Sequence, residues 1–145
     1  MSIAIVNQTE NQVQYNYDLT KIFVFDNRYE TVTFRNLTGG TLSYAVGTVL
    51  GRISATGKVT EMKSAATDGS ELPIGILATA ITDLATVSDV EINMCIEGDI
   101  AESQVIFNGS DVITTAEQGR IYRDWLQLAG MKLIQATELT EFDNS

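Results

Sequence analysis

Histidine is absent from the 145-residue sequence, and cysteine occurs once, as Cys95. Without an imidazole there is no histidine-based triad, no Cys–His nucleophile pair and no histidine metal site. A single thiol can form neither an intrachain disulfide nor a thiolate zinc cluster. Cations are scarce, with 9 Lys+Arg against 19 Asp+Glu and a formal net charge of −10. A phosphate-backbone binder needs clustered cations to release counterions, so nucleic acid is not expected as a partner. The same balance argues against docking on an anionic membrane. No apolar run reaches transmembrane length. The stretch from Met1 to Asn7 lacks the basic flank and cleavage pattern of a signal peptide, which leads to the expectation of a protein made in a reducing cytoplasm.

Hydrophobic residues make up 44% of the chain, enough to build a packed core and to argue against wholesale disorder. Short alternating stretches separated by glycine dominate the pattern. Val13, Tyr15 and Tyr17 alternate with Gln12, Gln14 and Asn16, a period of two that suits either an internal strand or an extended arm that becomes a strand on a partner. Residues 21–25 are apolar and β-prone; residues 30–36 alternate, with Val32 and Phe34 on one side, and Gly39 and Gly40 mark a turn. Residues 48–53 read as a strand with a bend or bulge at Gly51; Thr56 and Gly57 turn the chain, and residues 59–62 return it. Asp68 and Gly69 give the loop over 64–70 its tightest turn signal, and Pro73 begins a buried strand ending near Ala78.

In residues 89–97, Val90, Ile92, Met94 and Ile96 face one way and Glu91, Asn93, Cys95 and Glu97 the other, so Cys95 is expected to point away from the main core. Gly98 and Asp99 are read as a turn, as are Asn108 and Gly109. Helical spacing occurs once. Thr115 and Gln118 suggest a capping box. Ile121, Trp125 and Leu128 form a stripe beside Tyr122, Leu126 and Ala129, and Arg120 with Asp124 is an i, i+4 ion pair. Gly130 stands where a left-handed C-terminal cap belongs, before a closing strand over 131–136. The expected organisation is an arm or added strand over 1–20, a single mainly β domain over 21–136 with one short helix in its C-terminal half, and an acidic tail over 137–145.

Candidate chemistry is thin. Gly51 and Gly57 with Lys58 lack the four-residue gap and the following Ser or Thr of a phosphate-binding loop; a strand bend and a hairpin turn explain them. Glu97, Asp99 and Glu102 are close in sequence, but nothing in the pattern separates their proton affinities as carboxylate hydrolysis requires. Residues 64–71 offer too few oxygen ligands for calcium. Asn7, Asn36 and Asn108 each begin an N-x-Ser/Thr pattern, read as chance occurrences in the absence of a secretion signal. No catalytic residue, metal or cofactor is expected.

The order of motifs over 47–58 and 64–77 carries a resemblance. Gly47, Val49, Leu50, Gly51, Arg52, Gly57 and Lys58, then Ala65, Ala66, Asp68, Gly69, Ser70, Pro73, Gly75, Ile76 and Leu77, resemble the strand, turn and loop of the head decoration proteins of tailed bacteriophages. Residues 31–40 look like that family's opening strand and turn, and the Trp125 helix with Ala129 and Gly130 like its C-terminal part. The resemblance implies a β-tulip-like fold, a homotrimer, and the major capsid protein as partner. It also implies a place on the outer surface of the virion, where the protein stabilises the expanded head against internal DNA pressure. Val13, Tyr15 and Tyr17 are then the candidate capsid contacts. A host-attachment module using Tyr15, Tyr17 and Tyr29, and a carboxylate hydrolase using Glu97 and Asp99, are the competing readings.

Overall fold

The structure is a computed structural model that describes residues 21–135. Two 13-residue strands form its backbone: β1 (Phe23–Arg35) and β7 (Asp89–Ala101) pair antiparallel, from Phe23 opposite Ile100 to Arg35 opposite Asp89. The stretches 21–25 and 30–36 are thus parts of one strand. Register shifts between Phe23 and Tyr29, with Asp26 at φ 53°, mark the irregular join between them.

Three shorter strands complete a ring. Phe34 of β1 pairs parallel with β4 (Val59–Glu61), β4 with β3 (Val49–Arg52), β3 with β5 (Pro73–Leu77), and β5 with β7. Pro73 opens β5, where no ladder donor is needed. The register shifts between Leu50 and Gly51, as the glycine suggested. A ribbon of β2 (Leu42–Tyr44) and β6 (Ile81–Leu84) stands apart from the ring's hydrogen bonding. After a 3₁₀ turn at Glu102–Gln104 come the two-residue strands β8 (Ala116–Glu117) and β9 (Arg120–Ile121), helix α1 (Tyr122–Ala129), and β10 (Met131–Ile134), which lies parallel to the end of β7. The fold is mainly β with one short helix in its C-terminal half, as expected.

Neighbouring residues on a strand face opposite ways, and here both faces are covered. Phe34, Val59, Leu50, Leu77 and Met94, one from each ring strand, share an inner core with Ile81 and Ile92; Tyr44 and Leu84 of the ribbon pack against it. Val49, Ile76 and Cys95 turn the other way, into a second core with Tyr122, Leu126, Met131 and Leu133. Cys95 is therefore fully buried, contrary to expectation. Alternation names one face apolar only where the other meets water, and side chains of α1 pack on that face. Burial pushes the Cys95 thiol up, away from the reactive thiolate form.

Four further expectations are corrected. Gly98 and Asp99 do not turn the chain: β7 continues through them to Ala101, with Gly98 at φ 129°. The capping box does not form. Gln118 and Gly119, at φ 53° and 85°, are the two central residues of the β8–β9 hairpin, the positive-φ pair that a type I′ turn requires. The helix starts only at Tyr122, and the Thr115 hydroxyl accepts the Val112 N–H instead. Arg120 lies over the Trp125 ring, 5.6 Å from its centroid, rather than against Asp124. Leu128 is exposed, because the inward face centres on Tyr122 and Leu126. The left-handed cap at Gly130 is as expected, at φ 118°.

At one end of the long strand pair, Asp89 accepts hydrogen bonds from Lys58 Nζ (2.6 Å) and Arg35 Nη1 (3.1 Å), tying β7 to β4 and β1. These bonds, Lys58's first, hold its carboxyl below the usual carboxylate range. Asp68 is lowered in the same direction, chiefly by the Ser70 hydroxyl. A carboxylate more acidic folded than unfolded stabilises above its ordinary pKa, and the contribution disappears as pH falls through the depressed folded value. Stability should therefore decline from about pH 4 downwards. Asp89→Asn should be less stable than the parent at neutral pH and should show a shallower loss on acidification, read from urea midpoints across the acid range.

Candidate interaction surfaces

The two poles of the β1–β7 pair differ in chemistry. At one pole both ends of the described chain emerge together. Ile22 is buried, and its carbonyl accepts the Ala101 N–H at 2.9 Å. Ile134 lies opposite the same Ala101 on the other side of β7. Strand spacing is about 4.8 Å, so the two chain ends sit roughly 10 Å apart. Glu102 secures this pole through an ion pair with Arg123 and hydrogen bonds from Gln135 Nε2 at 3.0 and 3.1 Å. The described residues therefore begin and end on one side of the body. Val13, Tyr15 and Tyr17, the expected arm contacts, lie outside the described residues, as does Asn7.

The opposite pole, roughly 40 Å away along a 13-residue strand, is a lobe made of the ribbon and its flanking loops. Its anchor is Asn36, which is fully buried. The Asn36 amide nitrogen donates to the carbonyls of Gly40 (2.9 Å), Leu84 (2.9 Å) and Ala85 (3.2 Å). Its amide oxygen accepts from the N–H and the hydroxyl of Thr38 at 2.9 and 2.8 Å. Its backbone N–H donates to Ser88 O and its carbonyl accepts from Val87 N–H, and the Thr86 hydroxyl donates to Thr38 O. The loops over 36–41 and 84–88 are thereby fastened side by side. A side chain so engaged is closed to modification, in keeping with the reading of its N-x-Thr pattern as chance.

Two large apolar side chains project from this pole, Leu37 at 52% exposure and Val87 at 64%. Val87 holds φ 56°, a left-handed conformation that a β-branched residue adopts only under constraint. Residues 36–51 and 84–88 contain no charged residue at all in a chain of net charge −10.

The carboxylates weighed as hydrolytic pairs are not brought into an acid–base arrangement. Glu97 faces Arg28 at 3.6 Å, both exposed, and Glu102 is engaged by Arg123. Glu97 and Asp99 line a shallow cleft with Phe25, Asp26, Gly98, Gly130 and Lys132. Among the described residues no three metal-type side chains converge on one point. No helix among them is long and apolar enough to cross a membrane. Tyr29 is half-exposed and packs edge-on against Phe23 at 5.5 Å. Sequence reasoning missed the Asn36 anchor and the lobe it holds; the uncharged run over 36–51 was the available signal.

The family model for Bacteriophage lambda head decoration protein D matches residues 27–120, nearly two thirds of the chain. The matched span includes the ribbon lobe and the ring apart from the first four residues of β1. No curated protein matches the sequence.

Proposed function

The chain belongs to the bacteriophage lambda head decoration protein family, a structural component of the phage capsid, and on that premise we infer that it acts as a cement. Three copies sit together on the outer surface of the expanded head and fasten neighbouring subunits of the major capsid protein against the pressure of packaged DNA. The observation that carries this reading is the family match, which covers most of the ring and all of the ribbon; the closed β-tulip-like body supplies the rigidity a cement needs.

Attachment falls to the arm. Residues 12–17 add as a strand to a capsid sheet, with Val13, Tyr15 and Tyr17 entering pockets on one side of it. Ordering an arm costs about 1–2 kcal/mol per residue in backbone entropy, which the buried aromatic and aliphatic surface must offset. Three arms on one assembly raise the overall affinity by about 10²–10⁴ without any new contact. The described residues begin and end at one pole, near Ala101, so one face of the assembly can present every arm to the shell. Synthesis in the host cytoplasm suits a chain whose single thiol is buried.

Purified protein added to expanded heads lacking their decoration should bind, and should raise the temperature at which the shells break. Removal of residues 1–18 should abolish attachment while leaving the melting of the body unchanged. If the truncated body unfolds, residues 12–17 are an internal strand instead. If it binds like the full chain, the arm is not the attachment device.

A further inference from the structure

We propose that the uncharged lobe at the pole opposite the chain ends is the surface through which copies of this chain meet one another. This inference rests on the oligomeric reading above but names its surface, which that reading leaves open.

Charge selects the occupant. An unlike partner can answer an acidic surface with lysine and arginine, so the rest of this molecule suits heterologous contact. Identical copies each bring a net charge of −10, and like charges brought face to face oppose association. Within 36–46 and 80–88 Asp83 is the only charged residue, and at the base of this pole Asp89 is answered by Lys58 and Arg35, so the lobe escapes most of that repulsion. At its tip Leu37 and Val87 are neighbours, since the Val87 N–H bonds to the carbonyl that leads into Leu37. Both are exposed, and both are held by a buried anchor rather than left on a loose loop.

Backbone strain points the same way. Val87 adopts φ 56°, where asparagine is tolerated far better than a β-branched residue. For the isolated body valine is the worse choice, being strained and largely exposed. Its presence there is accounted for if the side chain is covered in the assembly. The location also fits: the lobe is the far end of the strand pair from the arm, so copies can meet there without competing with attachment to the shell.

The decisive variant is Val87→Asn, made in the full chain. It relieves the backbone strain and removes the apolar contact, so the two roles predict opposite changes. The melting temperature of the dilute protein should stay level or rise, while the self-association constant falls at least about tenfold, measured by sedimentation. Leu37→Asp, at another exposed site, should weaken association at least as much. Association of the parent should strengthen as salt is raised, because screening removes repulsion between acidic copies. The inference is overturned if Val87→Asn and Leu37→Asp associate like the parent, if the parent stays a single chain at every concentration and salt, or if added salt dissociates it. Shell binding is a separate readout: a chain that self-associates through the lobe but ignores decoration-free heads ends the cement reading and leaves this one standing.

Discussion

Asn36→Ala should lower the free energy of unfolding by about 3–5 kcal/mol, a large share of the roughly 5–15 kcal/mol that holds a domain of this size together. The side chain is fully buried and makes five hydrogen bonds, three donated to the carbonyls of Gly40, Leu84 and Ala85 and two accepted from Thr38. Alanine removes all five. Each buried polar group left without a partner costs about 1–3 kcal/mol. Thr38 can turn toward water and recover part of the loss, which sets the total below the sum. Asn36→Asp should be worse than alanine. A carboxylate keeps the bonds from Thr38 but turns negative charge toward three carbonyl oxygens, with no cation within the anchor to answer it. Urea unfolding at constant m would measure both variants. A loss below about 1 kcal/mol for alanine would mean that Asn36 does not hold the two loops. The same variant bears on self-association: releasing the loops should free Val87 from its strained φ and dissolve the tip it forms with Leu37.

The strand pattern was legible because its punctuation is local. Gly51, Pro73 and Gly130 each report a constraint within a few residues, and each stands where that constraint demanded. Cys95 and Gln118 misled for a common reason. A period of two assigns one face to the core, yet β7 is covered on both faces, by the ring's interior and by side chains of α1. Thr115 and Gln118 have capping-box spacing, but Gln118 and Gly119 instead provide the positive φ values of a hairpin turn, and no local rule ranks those two uses. Gly98 looks like a turn and is a distortion within a continuing strand, because the pairing of β7 with β1 and β10 carries the chain straight through it. Asn36 was beyond reach for a different reason. Two of its partner carbonyls, at Leu84 and Ala85, lie 48 and 49 residues further on, and nothing around residue 36 announces them. The uncharged run from 36 to 51 was visible, but its meaning depends on the loop over 84–88 lying beside it.

Gly51→Ala should destabilise by about 3 kcal/mol or more, toward the upper end for overpacking, since the obstacle is backbone rather than a side chain that can swing aside. A β-carbon at position 51 would run into the Ser70 carbonyl oxygen and come within 2.8 Å of that residue's carbonyl carbon and Cα. The strand cannot retreat, because Gly51 is paired with Thr60 on one side and Pro73 on the other. The loop is equally fixed. Ser70 is buried, with its N–H and hydroxyl bonded to Asp68 Oδ1 at 3.0 and 2.6 Å. Ser54 N–H bonds to Asp68 O, and the Tyr122 hydroxyl donates to Glu71 O at 3.0 Å. A methyl group must lift the loop off β3 and break some of these bonds. The unfolded-state gain from replacing glycine, about 0.4–1 kcal/mol, does not offset that. Gly57→Ala is the contrast: its β-carbon meets nothing within 4 Å, but φ is +76°, so only the left-handed penalty of roughly 1–2 kcal/mol applies. Tyr122 provides a local reading of the same event. Burial first, then the charges of Glu117, Asp111 and Glu71, push its phenol up to about 12. Lifting the loop in Gly51→Ala should wet the ring's hydroxyl and return its ionisation toward the ordinary value of 10.0, followed by ultraviolet absorbance. A Gly51→Ala protein as stable as Gly57→Ala, with Tyr122 still ionising near 12, would show that the loop does not bear on the strand, and that the glycine is there for something other than close approach.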